Sequence, residues 1–112
     1  MTDSFTMNLV AKANLLGWYV AGYTESEWEF RRTSPAGEDF TFTITAERSE
    51  DVCYEVYKYA KSFDIDAHAE QRAEDGCTMD AETLWNDAYD LQEMIEKLAD
   101  ALEELTEMEE AA

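Results

Sequence analysis

Trp28-Glu29-Phe30-Arg31-Arg32-Thr33-Ser34-Pro35-Ala36-Gly37-Glu38-Asp39-Phe40-Thr41-Phe42-Thr43-Ile44-Thr45 contains two runs of alternating character around a turn. Trp28 and Phe30 alternate with charged residues. Phe40, Phe42 and Ile44 alternate with Thr41, Thr43 and Thr45. A period of two puts one set of side chains on each face of a strand, so both runs read as strands with one apolar face. Ser34-Pro35-Ala36-Gly37 joins them, with Pro suited to the second turn position and Gly to the fourth, which makes the pair an antiparallel hairpin.

On the N-terminal side, Asp3 or Ser4 can cap a first helix over about residues 4–16, with Leu9, Val10, Ala13 and Leu16 as its stripe and Gly17 just past its end. Trp18–Tyr23 offers a third strand, weakened by Gly22. On the C-terminal side, Ser49 reads as the hydroxyl cap of a second helix, with Glu50 and Asp51 on the positive end of its dipole. Val52, Val56, Tyr59, Ala60 and Phe63 form its stripe, and the pattern breaks at Asp64. Residues 66–74 have room for one or two helical turns before Asp75-Gly76. From Asp80 on, Leu84, Ala88, Leu91, Ile95, Leu98, Leu102 and Leu105 recur every four and three residues, the spacing of a helical seam. The expected fold is a single α+β domain over 1–112: an N-terminal helix, a small antiparallel sheet of two or three strands, then helices ending in a long acidic amphipathic helix.

The 27 acidic residues stand against 8 basic ones, a formal charge of -19 on 112 residues. Three Trp, six Tyr and five Phe accompany them, far more aromatic content than a disordered acidic tail carries. The charge is uneven: residues 1–63 hold 10 acidic and 6 basic groups, and residues 64–112 hold 17 and 2. A surface of this sign repels nucleic acid and anionic membranes and attracts Lys/Arg-lined protein surfaces. Nothing resembles a signal peptide or an 18-residue apolar run, so the expected setting is a reducing cytoplasm. Cys53 and Cys77 form no CxxC motif. The spacing leaves a disulfide open, and the reading is of two small buried hydrophobes in a reducing compartment.

The chemistry-bearing motifs are incomplete. Asp64-Ile65-Asp66-Ala67-His68-Ala69-Glu70 places polar residues at alternate positions like a calcium loop, but it has no Gly at the sixth place and Asp75 stands where Glu is required. His68 is the only histidine, and nothing around it builds a nucleophilic triad with Cys53, Cys77 or a serine. No phosphate-cradling loop, nucleophile elbow or two-His metal motif occurs. The expectation is therefore a non-enzyme with no catalytic residue, metal or cofactor. Tyr54, Tyr57, Trp85 and Tyr89 are expected as core or rim aromatics, since a base-stacking platform needs a cationic surround.

Between the seam residues lie Asp87, Asp90, Glu93, Glu96, Asp100, Glu103, Glu104 and Glu107, relieved only by Lys97. Carboxylates three and four apart share a helix face at about 5–6 Å, a spacing that suits a basic groove built for phosphates. These eight are the candidate partner-binding residues.

Thr33-Ser34-Pro35-Ala36-Gly37-Glu38-Asp39-Phe40, Tyr59-Ala60-Lys61-Ser62-Phe63-Asp64-Ile65-Asp66-Ala67-His68-Ala69-Glu70, and the helix through Asp87-Ala88 and Leu98-Ala99-Asp100-Ala101-Leu102 together resemble a group of small acidic proteins of bacterial plasmids, conjugative elements and phages. The likeness runs from about Gly17 to Leu105; the Asp75–Asp80 connection is shorter than the basic linker typical of that group. The resemblance implies a mobile-element setting, in which such proteins often act as anti-restriction or anti-CRISPR inhibitors. The expected partner is a basic surface of a Cas9-type or other DNA-binding nuclease, occupied by DNA mimicry without direct nucleic-acid contact. The alternative is a structural protein that dimerises through Leu84–Leu105, its charge serving solubility. Monomer and homodimer both fit the sequence.

Overall fold

The computed structural model describes residues 4–21, 26–76 and 78–111, and for residues 4, 49, 50 and 108–111 the backbone alone. Among them the order is α1 (Ser4–Leu15), β1 (Tyr19–Ala21), β2 (Glu27–Thr33), β3 (Asp39–Thr45), α2 (Ser49–Ser62), α3 (Ile65–Glu74) and α4 (Ala81–Ala111). The chain is α+β, with the strands paired antiparallel in the order β1-β2-β3.

Register follows the alternation in the sequence. Phe30 pairs with Phe42 and Trp28 with Ile44, so every large apolar residue of the hairpin lies on one face, while Thr41, Thr43 and Thr45 stay on the exposed one. The turn closes as its residues require: the Gly37 N–H donates to the Ser34 carbonyl at 2.9 Å, and Gly37 takes a positive φ of 91° that other residues rarely adopt. Val20 of β1 joins the buried face opposite Phe30. The proposed extension of this strand to Gly22 and Tyr23 lies outside the described residues.

The core is one cluster contributed by the sheet and by α1, α2 and α4. Rings dominate its centre. Phe42 stacks on Phe30 at 5.1 Å and on Tyr59 at 4.3 Å, and Trp18 meets Phe42 edge-on at 5.4 Å. Such pairs add roughly 0.5–1.5 kcal/mol each beyond their area burial. Phe40 is met by Phe63 from the end of α2 and by His68 from α3. Leu91, Ile95, Leu98 and Leu102 of the seam are fully buried, and Leu84 and Ala88 are buried as well. The seam is thus the inner face of this chain's own long helix, which lies against α1, α2 and α3. At about 1.5 Å per residue its 31 residues account for the 48 Å long axis of the molecule.

Several local details differ from the sequence reading. α1 ends at Leu15, one residue early, so Leu16 is partly exposed and Trp18 fills the core position beyond the helix; Phe5 joins Leu9 and Ala13 on the buried stripe. Gly17, at φ +89°, makes this exit, and the Arg32 guanidinium closes over it, donating to the Leu16 carbonyl and lying 5.1 Å from the Trp18 ring. Asp3, a candidate cap, is outside the described residues. The N-cap of α2 is Arg48 rather than Ser49 and makes no side-chain capping bond; Ser49 is already helical, leaving the helix end to the acidic first turn and to an Arg48–Asp51 contact at 3.5 Å. Residues 65–74 form a continuous ten-residue helix rather than a turn or two.

Candidate partner-binding surface

α4 begins with a well-formed cap. Asp80 Oδ1 accepts the Thr83 N–H at 2.7 Å, and that bond holds the Asp80 carboxyl below its ordinary range. From this start the helix phase is fixed, and the eight candidate carboxylates fall into three environments.

Glu93, Glu96, Asp100, Glu103, Glu104 and Glu107 are exposed. Stepping by three and four, they lie opposite the buried Leu91–Leu102 seam. Asp90 is half-buried on the flank of this row. Asp87 does not belong to the surface at all. It is 5% exposed, and its Oδ1 accepts the N–H of Ala36 at 2.9 Å, tying the hairpin turn to α4. A buried carboxylate engaged in this way is a structural tie, unavailable to a partner.

The same turn is held from α3. Arg72 donates to the Asp39 carbonyl at 2.8 Å and pairs with Glu38 at 3.2 Å. Arg72 Nε also lies 3.4 Å from His68 Nε2, which requires that nitrogen to be unprotonated. Burial pushes the His68 pKa down, Arg72 adds to the effect, and Asp87 opposes it. His68 is thus a neutral packing residue against Phe40 and Phe63. The calcium-like segment is built the same way: Asp64 caps α3 by accepting the Ala67 N–H, and Asp66 accepts the Trp85 indole N–H at 2.9 Å. Its alternate carboxylates therefore stand on a helix and do not converge as a loop would bring them. Cys53 is buried, and its thiol donates to the Leu102 carbonyl at 3.1 Å, joining α2 to α4; Cys77 lies outside the described residues.

Among the described residues, no salt bridge involves an acidic side chain of α4. From the first to the last of the six outer carboxylates, Glu93 to Glu107, the axis runs about 21 Å at 1.5 Å per residue. That is about one charge per 4 Å, close to the roughly 3.4 Å per phosphate along one strand of B-DNA. Two of the aromatics that the sequence leads one to expect in the core or at its rim lie on this side of the helix. Trp85 and Tyr89, 43% and 42% exposed, stack on each other at 5.6 Å one to two turns before Glu93. Tyr54 and Tyr57 are likewise on the outside of α2, under Lys58 and Lys61.

No family model, curated protein or solved structure matches the chain. No helix among the described residues is long and apolar enough to cross a membrane.

Proposed function

We propose that the protein is a non-enzymatic inhibitor that lays the outer face of α4 into the basic nucleic-acid-binding surface of a host defence nuclease, a Cas9-type effector foremost, in the cytoplasm of a bacterial host. The observation that supports this reading is the row Glu93, Glu96, Asp100, Glu103, Glu104 and Glu107: exposed, without a salt bridge among the described residues, and fixed on a helix whose opposite face is anchored in the core. Charges on a rigid body need no ordering on binding, and they steer a basic partner from a distance. The resemblance to small acidic proteins of phages and conjugative elements points to the same class of target. Cas9-type nucleases offer Lys/Arg-lined channels for duplex and heteroduplex of a matching charge.

The dimer alternative draws no comparable support, because the Leu84–Leu105 seam it requires is buried by the chain's own elements as far as Leu102 and partly at Leu105.

The test is binding of labelled target DNA to a Cas9–guide complex across a salt series. Wild-type protein is expected to reduce binding strongly at low salt and less at moderate salt, since exposed charges are screened over about 8–10 Å at physiological ionic strength. The variant Asp100→Lys, Glu103→Lys, Glu104→Lys, Glu107→Lys is expected to lose inhibition while keeping its fold. Equal inhibition by the variant at every salt concentration would refute the mimicry.

A further inference from the structure

We propose that the groove between α3 and the start of α4 is a socket for an arginine side chain of the basic partner, with Trp85 as its wall and Asp66 and Glu70 as its rim. This rests on the reading of the chain as a binder of basic protein surfaces, and it adds a specific anchor to what would otherwise be diffuse attraction.

The groove has a volume of about 390 Å³ and a mainly apolar lining, within the range of sites that hold small groups. Its aliphatic lining comes from Ala69 and Ala73 of α3, Met79 of the connection, and Ala81 and Leu84 of α4. Alanine at the two α3 positions is what leaves the space open: α3 buries none of its residues, so it lies beside α4 without filling the gap between them. One wall is the Trp85 indole. Its N–H is held by Asp66 Oδ1 at 2.9 Å and its ring stacks on Tyr89 with an interplanar angle of 20°, so an exposed aromatic is fixed in place before any partner arrives. Large exposed aromatics held rigidly are the side chains that most often anchor protein interfaces.

The chemistry of the occupant follows from what surrounds the ring. Asp66 and Glu70 stand at the groove's edge, are exposed, and form no salt bridge among the described residues. An aliphatic lining, an aromatic wall and a carboxylate rim together match a long apolar stem ending in a cation. Between the two cations, guanidinium fits better: it is planar, weakly hydrated, stacks on an indole, and can donate two parallel hydrogen bonds to one carboxylate. Lysine brings a strongly hydrated point charge that gains less from the ring. The socket also opens at the N-terminal end of the carboxylate row, so one partner surface can place an arginine here and further cations along Glu93–Glu107.

The probe is N-acetyl-arginine-N-methylamide, titrated into the full-length protein while the tryptophan indole N–H resonances are followed by NMR. Trp18 and Trp28 are buried and act as internal references. The expected result is a saturable shift at Trp85 with an affinity at least threefold weaker for the lysine analogue and no saturation for the uncharged citrulline analogue. Asp66→Asn with Glu70→Gln should weaken it about tenfold or more, and Ala69→Leu, which fills the groove without changing charge, should abolish it with the spectrum otherwise folded. Equal shifts with the lysine analogue, an unchanged affinity in Ala69→Leu, or a non-saturating shift would overturn the socket, whatever the nuclease assay shows. Conversely, saturable binding at Trp85 combined with no inhibition of any nuclease would overturn the proposed target and leave the socket standing.

Discussion

Neutralising the outer row of α4 is expected to make the protein more stable. Within Glu93, Glu96, Asp100, Glu103, Glu104 and Glu107, the pairs 93–96, 96–100, 100–103, 100–104, 103–107 and 104–107 are like charges three or four residues apart on an exposed face. Each such pair costs about 0.2–0.5 kcal/mol. Replacing Glu96, Asp100, Glu103 and Glu104 by Gln removes all six at once, a gain of about 1–3 kcal/mol at low ionic strength. For a domain of this size about 1 kcal/mol moves the melting temperature by roughly 4 °C, so the variant should melt about 4–12 °C higher. The assay is thermal unfolding followed by circular dichroism in ~10 mM and ~1 M salt, because the Debye length falls from about 30 Å to about 3 Å between them. The gap between variant and wild type should close at high salt, mostly through a rise in the wild type. An unchanged or lower melting temperature in low salt would refute the reasoning, since the carboxylates would then have compensating partners. A gain in stability on removing the row would fit the proposed binding role, since binding sites often lower stability in exchange for function.

Three further outcomes follow from the packing. Asp87→Ala should destabilise by about 1–3 kcal/mol by removing the part-buried carboxylate bond that ties α4 to the Ala36 N–H of the hairpin turn, whereas Asp87→Asn, which keeps an acceptor oxygen, should recover most of that in chemical denaturation. Leu98→Ala should cost about 2–5 kcal/mol with no change in molar mass by light scattering; a shift from dimer to monomer would make the seam an interface. His68 is held below its ordinary value of 6.5 in the fold, so the unfolded chain takes up its proton first. The stability linked to it is therefore complete above about pH 6.5 and is lost as pH falls through that value toward the folded one. Between pH 8 and 5 the wild type should lose more stability than His68→Gln, and parallel curves would contradict the assignment.

The elements that were legible in the sequence are those whose burial has a clear period. Phe40, Phe42 and Ile44 announce a one-sided strand because the opposite face is all threonine, and the seam from Leu84 announces α4 because every third or fourth residue is apolar. α3 was read too short for the converse reason: none of its residues is buried, so it carries no stripe, and its length is set by the Asp64 cap and by the Arg72 and Asp66 bonds to neighbouring elements. The start of α2 was misplaced by one residue because a serine beside two acids satisfies the capping preference on paper, while the chain enters the helix through the extended Arg48.

The candidate surface shows the same division more sharply. The eight candidate carboxylates of α4 look alike by residue type, and only helical phase separates them. Asp87 lies three residues after Leu84 and four before Leu91, which places it on the inward flank of the seam, and the hairpin turn supplies the partner that makes a buried carboxylate tolerable there. What no spacing could supply is the groove beside Trp85, which depends on α3 crossing next to α4 with alanines at the contact. Long-range attraction can be read from charge counts along one helix, because it needs only sign and exposure. Selectivity among basic partners needs a shape, and the proposed socket takes its shape from two helices, adjacent in the chain, that leave space between them.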